Sequence, residues 1–309
     1  MKISVIIATM NRSDDLRVAL QSIAKQKLMP LEVLVIDQSG DERTRQLVEG
    51  FKTSDPSLSG CLHYFYQEEK SLVKARNRGI SLAKGELLSF LDDDVELFDD
   101  YYEQVADFLK ANPDVGALSG NTLSTDDFHG FNWRFRTVIM RLFLLSDWNG
   151  HLTCSGFGHP IYERKIGRVI DVELLPGCNM NYLAKTISGE KFDEWFTGYS
   201  YREDVDFSYR ISKKTRAVMI PTAKLYHYFS KNNRMDFDRL RRMEAKNNRY
   251  IFNKFKRKNF VSLIFFCYSL LGVVMVDFFE FLRSLNQIKY NKFKASLSAF
   301  IEILGRAEP

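Results

Sequence analysis

No G-x-G-x-x-G follows any apolar run in this 309-residue sequence, and no G-x-x-x-x-G-K-[ST] occurs in it. Dinucleotide binding and P-loop chemistry therefore lack the glycine loops that bring a backbone against phosphate. Cysteine is scarce: Cys61, Cys154, Cys178 and Cys267 stand apart with no paired spacing, which argues against a zinc site and a disulfide framework. Reduced, structural thiols are the expectation. A calcium loop is missing too, because the sixth position counted from Asp92, where an EF-hand needs glycine, is Leu97, and the closing Glu103 alone does not supply one. Nor does the start read as a secretory leader. Lys2 precedes apolar residues, but the run is short and meets Asn11 and Arg12 without a small-residue cleavage site. A buried first strand and a cytoplasmic chain are expected.

What is present is ample apolar material, 45% of residues, enough for a sizeable core. Short apolar runs alternate with amphipathic stretches: ISVIIAT, a helix from about Ser13, LEVLVID, a helix from about Asp41, LHYFYQ, a helix from about Ser71, then LLSFL. That rhythm predicts βαβ units and a mostly parallel, Rossmann-like α/β sheet flanked by helices. Pro30 before the second strand and Gly85 at an expected helix end agree with it. A helix from Asp99 to about Ala111 leads into VGALSG, a further strand. Beyond Asn121 the rhythm is lost, and WRFRTVIMRLFLL is an apolar and basic helix candidate.

Polar residues fall at the carboxyl ends of three of these strands: Thr9 and Asn11, Asp37, and Asp92 to Asp94. Ligands bind at that edge of open α/β sheets, although Asn, Asp and Ser are also preferred helix caps. The run LLSFLDDDVEL is the sharpest of the three. Carboxylates so close together repel and resist burial unless a cation is shared among them. Asp92 and Asp94 point the same way if the strand stays extended, with Asp93 turned aside. Arg76 in KARNRG faces the same edge, where a guanidinium pairs well with diphosphate.

The pieces SVIIATMNR, EVLVIDQSGD, KARNRGISLAKGELLSFLDDDVEL, LPGCNMNY, FDEWFTGYSYREDVDFSYR and AKLYHYFS, in this order, resemble glycosyltransferase family 2 over roughly Ile3 to Arg249. The resemblance implies a GT-A fold and inverting sugar transfer from a nucleoside diphosphate sugar, in the setting of bacterial polysaccharide assembly. It implies Mn²⁺ or Mg²⁺ on Asp94, Asp92 and His227. The donor nucleotide falls to Thr9, Asn11, Arg12, Asp37, Arg76, Asp92 and Asp93, and the acceptor or sugar side to Gly177, Asn179 and Trp195. Asp204 matches the acidic base of the family, with Glu203 beside it. Inversion by single displacement requires the acceptor hydroxyl to lose its proton as it attacks, and a carboxylate is suited to take it. A sugar-phosphate nucleotidyltransferase is the first rival, but it should show a Gly-rich loop where ATMNRSDDL has none. The second, a silent nucleotide-binding scaffold, would tolerate loss of the acids that are all present.

The net charge of +5 is uneven: residues 231–260 hold eleven Lys or Arg against three acids, a surplus of +8, leaving −3 elsewhere. An uncharged run from Phe260 to Val276 follows. Ser262, Ser269, Asp277, Glu280, Ser284 and Gln287 fall along one helical stripe, which predicts an amphipathic helix in the membrane interface or packed on a partner, against spanning or ordinary burial as the other readings. The expected organisation is a catalytic domain at 1–230, with 1–120 on the nucleotide sugar and 121–230 on the acceptor, and a helical extension at 231–309. A saccharide or lipid-linked acceptor and an anionic membrane surface are the expected partners, and no nucleic acid is.

Overall fold

The computed structural model describes residues 1–123, 131–147, 149–162, 166–228, 236–256 and 259–305. Phe229 and Ser230 of the last motif, and Lys231, Arg234, Arg257 and Lys258 of the basic block, lie outside the described residues. The elements run β1 (Ile3–Thr9), α1 (Ser13–Ala24), β2 (Glu32–Asp37), α2 (Arg43–Ser54), α3 (Pro56–Ser59), β3 (Leu62–Tyr66), α4 (Leu72–Leu82), β4 (Leu87–Leu91), β5 (Val95–Leu97), α5 (Tyr101–Ala111), β6 (Val115–Leu123), α6 (Phe131–Leu142), β7 (Ile170–Asp171), β8 (Asn179–Leu183), α7 (Glu203–Ser212), β9 (Arg216–His227), α8 (Phe237–Phe255), α9 (Phe260–Ser284) and α10 (Gln287–Gly305). Two compact units result: Met1–Asp126 with Ile161–Asn233, and Asp127–Pro160 with Arg234–Pro309. Residues 131–147 and 149–160 fold with the C-terminal helices, and the α/β rhythm is lost just before this excursion.

In the first unit the sheet runs β3-β2-β1-β4-β8-β6-β9-β5, with β7 pairing β9. It is parallel from β3 through β4, as the apolar runs predict, because strands covered on both faces need no polar alternation. β8 then enters antiparallel between β4 and β6. Val5, Ile7, Val33 and Val35 are wholly buried. Each contributes roughly 1.5–3 kcal/mol by leaving water.

Gly85 has a different reason from the one expected. α4 ends at Leu82, and a Cβ on Gly85 would lie 2.6 Å from the Ser4 amide nitrogen and 2.9 Å from the Lys2 carbonyl oxygen, so close backbone approach excludes any side chain.

The second unit is helical. Phe266 and Leu270 of α9 pack with Met140, Phe157, Phe252 and Ala299. Of the polar stripe of α9, Ser269 and Asp277 turn inward and are fully buried, Ser262 and Glu280 are half-buried, and Ser284 is exposed. Asp277 accepts hydrogen bonds from Arg241 (2.8 Å) and Ser296 and pairs with Lys292 (3.0 Å), tying α9 to α8 and α10.

Candidate active site

Strand register builds the first half of the site. β1 aligns Ile7 with Leu91 and Thr9 with Asp37, so the carboxyl ends of β2, β1 and β4 form one edge. Past Leu91 the chain does not stay extended: it turns at Asp93 and Asp94 before β5 begins. Asp93 is turned aside by that bend. It accepts from the Thr9 hydroxyl (2.7 Å) and pairs with Arg12 (3.2 Å), nearly buried. Burial pushes its carboxyl up to about 7, against the downward pull of Arg12 and Thr9. Asp37, fully buried, accepts from the Ser39 amide and the Tyr64 hydroxyl, both 2.9 Å. Asn11 takes a left-handed conformation (φ 56°), which asparagine tolerates. Its side-chain oxygen accepts from the Gly40 amide at 3.1 Å, so it joins two loops at this edge.

The turn brings Asp92 and Asp94 together with His227, their candidate ligand atoms all within 4.8 Å of one another. The ladder between β5 and β9 sets Val95 opposite His227, and the Tyr228 amide donates to the Asp94 carbonyl at 2.9 Å. His227 Nε2 therefore lies 3.0 Å from Asp94 Oδ1. Burial works against a charged His227, yet Cys178 and Asp94 push the imidazole up to about 11. Burial likewise raises the Asp92 carboxyl, opposed by Arg76 and reinforced by Asp94. Two carboxylates and one imidazole, crowded together with Asp94 and His227 buried and Asp92 half-buried, are a donor set suited to a hard or borderline divalent cation.

The second half comes from β8 and α7. β4 pairs Leu91 with Asn179, which carries Gly177 and Cys178 alongside Asp92. Arg76, buried on α4, bonds Glu203, Asp92 (3.1 Å) and the Gly177 carbonyl (2.9 Å), so these residues occupy the guanidinium that was expected to meet diphosphate. Burial pushes the Glu203 carboxyl up, and Arg76 opposes the shift. Asp204 sits in the first turn of α7, and its Oδ2 accepts from the Gly177 amide (3.0 Å) and the Tyr162 hydroxyl (3.3 Å). A Cβ on Gly177 would come 3.1 Å from that same oxygen, so glycine there serves Asp204. Arg202, just before, has φ 74° and is buried.

The acceptor-side residues divide. Trp195 is half-buried in a turn, its ring edge-on to Phe196. Asn179 is fully buried, and its side chain meets Tyr101 and Asn181. Side chains alternate along β8, and Tyr182 packs on Phe207 of α7, so Asn179 belongs to the opposite face of the sheet from Asp204. It is a core residue there, a correction to its expected place beside the sugar. Sequence reasoning also missed Tyr162 and Tyr64, whose hydroxyls hold Asp204 and Asp37, and it took Cys178 as merely structural although it adjoins His227.

Known proteins bear on this geometry. The family model described as Glycosyl transferase family 2 matches residues 4–167. A GalNAc(5)-diNAcBac-PP-undecaprenol beta-1,3-glucosyltransferase of Campylobacter jejuni is 33% identical over 122 residues, covering 40% of this chain and 38% of that protein. A glucosyl-dolichyl phosphate glucuronosyltransferase of Haloferax volcanii is 26% identical over 125 residues, covering 40% and 39%. The matched stretch spans about two-fifths of the length of these curated relatives. Among solved structures, the mannosyltransferase PcManGT of Pyrobaculum calidifontis, in complex with GDP-Man and Mn2+, aligns over 99% of this chain and 88% of its own with TM-score 0.61 and 15% identity. S. aureus TarS 1-349 in complex with UDP aligns over 99% and 92% with TM-score 0.55 and 19% identity. These likenesses establish the expected GT-A fold.

Proposed function

Because the chain belongs to glycosyl transferase family 2, we propose that it moves a sugar from a nucleoside diphosphate sugar to a hydroxyl of a saccharide or lipid-linked acceptor, with inversion in a single displacement. The observation that carries this reading is a carboxylate and imidazole cluster at Asp92, Asp94 and His227 together with a separate carboxylate, Asp204, fixed by Gly177 and Tyr162. The acceptor oxygen bonds to the anomeric carbon as the bond to the diphosphate breaks, and Asp204 takes the hydroxyl proton. Glu203, locked to Arg76, holds the start of α7 in place. Asp94, Asp92 and His227 would hold Mn²⁺ or Mg²⁺, which when bound supplies Lewis-acid neutralisation of the departing diphosphate. Asp37 has lone pairs to offer a nucleoside, Thr9 and Arg12 position Asp93 at the donor edge, and Trp195 offers a ring face to a sugar.

The names of the relatives, which include undecaprenol and dolichyl phosphate, support a lipid-linked acceptor and a place at a membrane, and we propose peripheral attachment on its cytoplasmic face. The test is incubation with a panel of nucleoside diphosphate sugars, scoring nucleoside diphosphate release and the anomer formed. Asp204→Asn keeps donor binding while transfer falls by about 10²-fold or more. Near-normal transfer by that variant, with Glu203→Gln inactive, would move the role to Glu203.

A further inference from the structure

The helix α9 is apolar on its outer side as well as its inner one. Its polar residues Ser269 and Asp277 are buried against α8 and α10, whereas Phe260 (76% exposed), Val261 (58%), Ile264, Phe265, Tyr268 and Leu271 are exposed. At 100° per residue these six fall within one arc, opposite the arc of Phe266, Ser269, Leu270, Val274 and Asp277. α6 extends the apolar surface, since Val138 and Leu142 are exposed and the neighbouring Phe143 ring lies 5.0 Å from Tyr268. A continuous apolar face of this kind marks an interaction site on a protein that must otherwise stay in water.

We propose that this face of α9 and α6 docks flat on an anionic lipid bilayer. The inference rests on the peripheral membrane placement proposed above, not on the transfer chemistry. Charge complementarity selects the occupant. The exposed Arg141 adjoins Leu142, and the exposed Lys254 and half-buried Lys256 lie a few residues before Phe260. The sequence adds Arg257 and Lys258 between them, and it has no Asp or Glu from Lys254 to Val276. An apolar face bordered by cations and empty of acids matches acyl chains beneath anionic headgroups. A second copy of the chain would bring the same cations against themselves. The bilayer is met from the side, because the reverse arc of α9 is tied to Arg241, Lys292 and Ser296 through Asp277. Crossing the bilayer would break those bonds.

Flotation of the full chain with phosphatidylcholine vesicles, with and without about one-third phosphatidylglycerol, tests the inference. The chain floats with the anionic vesicles, less with neutral ones, and less as salt screens the cations. Phe260→Glu with Val261→Glu lowers the partition by about tenfold or more while the thermal unfolding midpoint stays put, because these are the most exposed side chains of the face and lie in the first turn of α9, where acidic residues are tolerated. Undiminished partition of this variant would mean that another surface docks, overturning the inference while peripheral placement survives. Absence of any vesicle binding by the parent chain would overturn both. A concentration-dependent dimer dissolved by the same substitutions would assign the face to a second copy. Partition that resists alkali and yields only to detergent would make α9 a spanning helix.

Discussion

Single residues decide the candidate site through what they touch. Asp94 lies 3.0 Å from His227 and within reach of Asp92, so Asp94→Ala removes one of three converging donors. Calorimetric titration with Mn²⁺ should show binding in the parent chain and its loss in the variant, and transfer should vanish in chelator and return with Mn²⁺ or Mg²⁺. Full activity of Asp94→Ala in chelator refutes the assignment. Tyr162→Phe deletes one hydroxyl that bonds Asp204 and leaves the ring. Turnover should fall several-fold to tenfold with the donor KM unchanged, because the carboxylate loses a positioning bond and the donor site is untouched. Equal changes in both parameters argue for a general loss of fold. At Gly85 an added methyl meets backbone that has no room to move, so Gly85→Ala should destabilise the first unit by about 1–3 kcal/mol in denaturant melts.

At the scale of elements, the pairing of α9 with α10 carries a pH signature. Glu280 accepts from Lys289 (2.9 Å) and Lys292 (2.8 Å). Burial alone would raise its carboxyl, but the two lysines win and hold it down to about 2. A carboxyl lowered on folding contributes stability that is full above its unfolded value near 4.3 and is lost as pH falls from there to about 2. Melts of the helical unit across that window should steepen in the parent chain and flatten in Glu280→Gln. Elements also mark what could be read from the chain alone. The parallel strands and the helices between them were legible because apolar runs and helical periodicity are local, and Asp92 to Asp94 announced themselves as adjacent charges. The bridge from Arg76 to Glu203 and the Tyr162 bond to Asp204 were not, because they depend on β8 entering antiparallel beside β4. Asn179 was misplaced for the same cause: a strand's two faces look alike until the partner strand is known. For α9 the stripe was visible, but its direction was not. A buried ion pair, Arg241 with Asp277, holds the middle of that stripe inward.

For the molecule as a whole, the family match ends at residue 167, whereas Gly177, Glu203, Asp204 and His227 all lie beyond it. Their place in the site rests on β8, α7 and β9, which carry or adjoin them. A nucleoside diphosphate with Mn²⁺ at about 100 times its Kd should stabilise the chain by about 2.7 kcal/mol, and chelator should return the melting temperature to its starting value. No shift with any nucleoside diphosphate would count against donor binding. The ladder that sets Val95 opposite His227 has a kinetic consequence. β5 is three residues long and closes one border of the sheet, and its partner β9 arrives only after most of the first unit has been made. Contacts of such long sequence separation form late, after loop-closure entropy has been met. The Asp94–His227 pair is therefore assembled at the end of folding, and a cation held there would act as a clasp on that border. Amide hydrogen exchange at Val95–Leu97 should slow when Mg²⁺ is added, and Asp94→Ala should abolish the slowing while exchange within β1 stays unchanged.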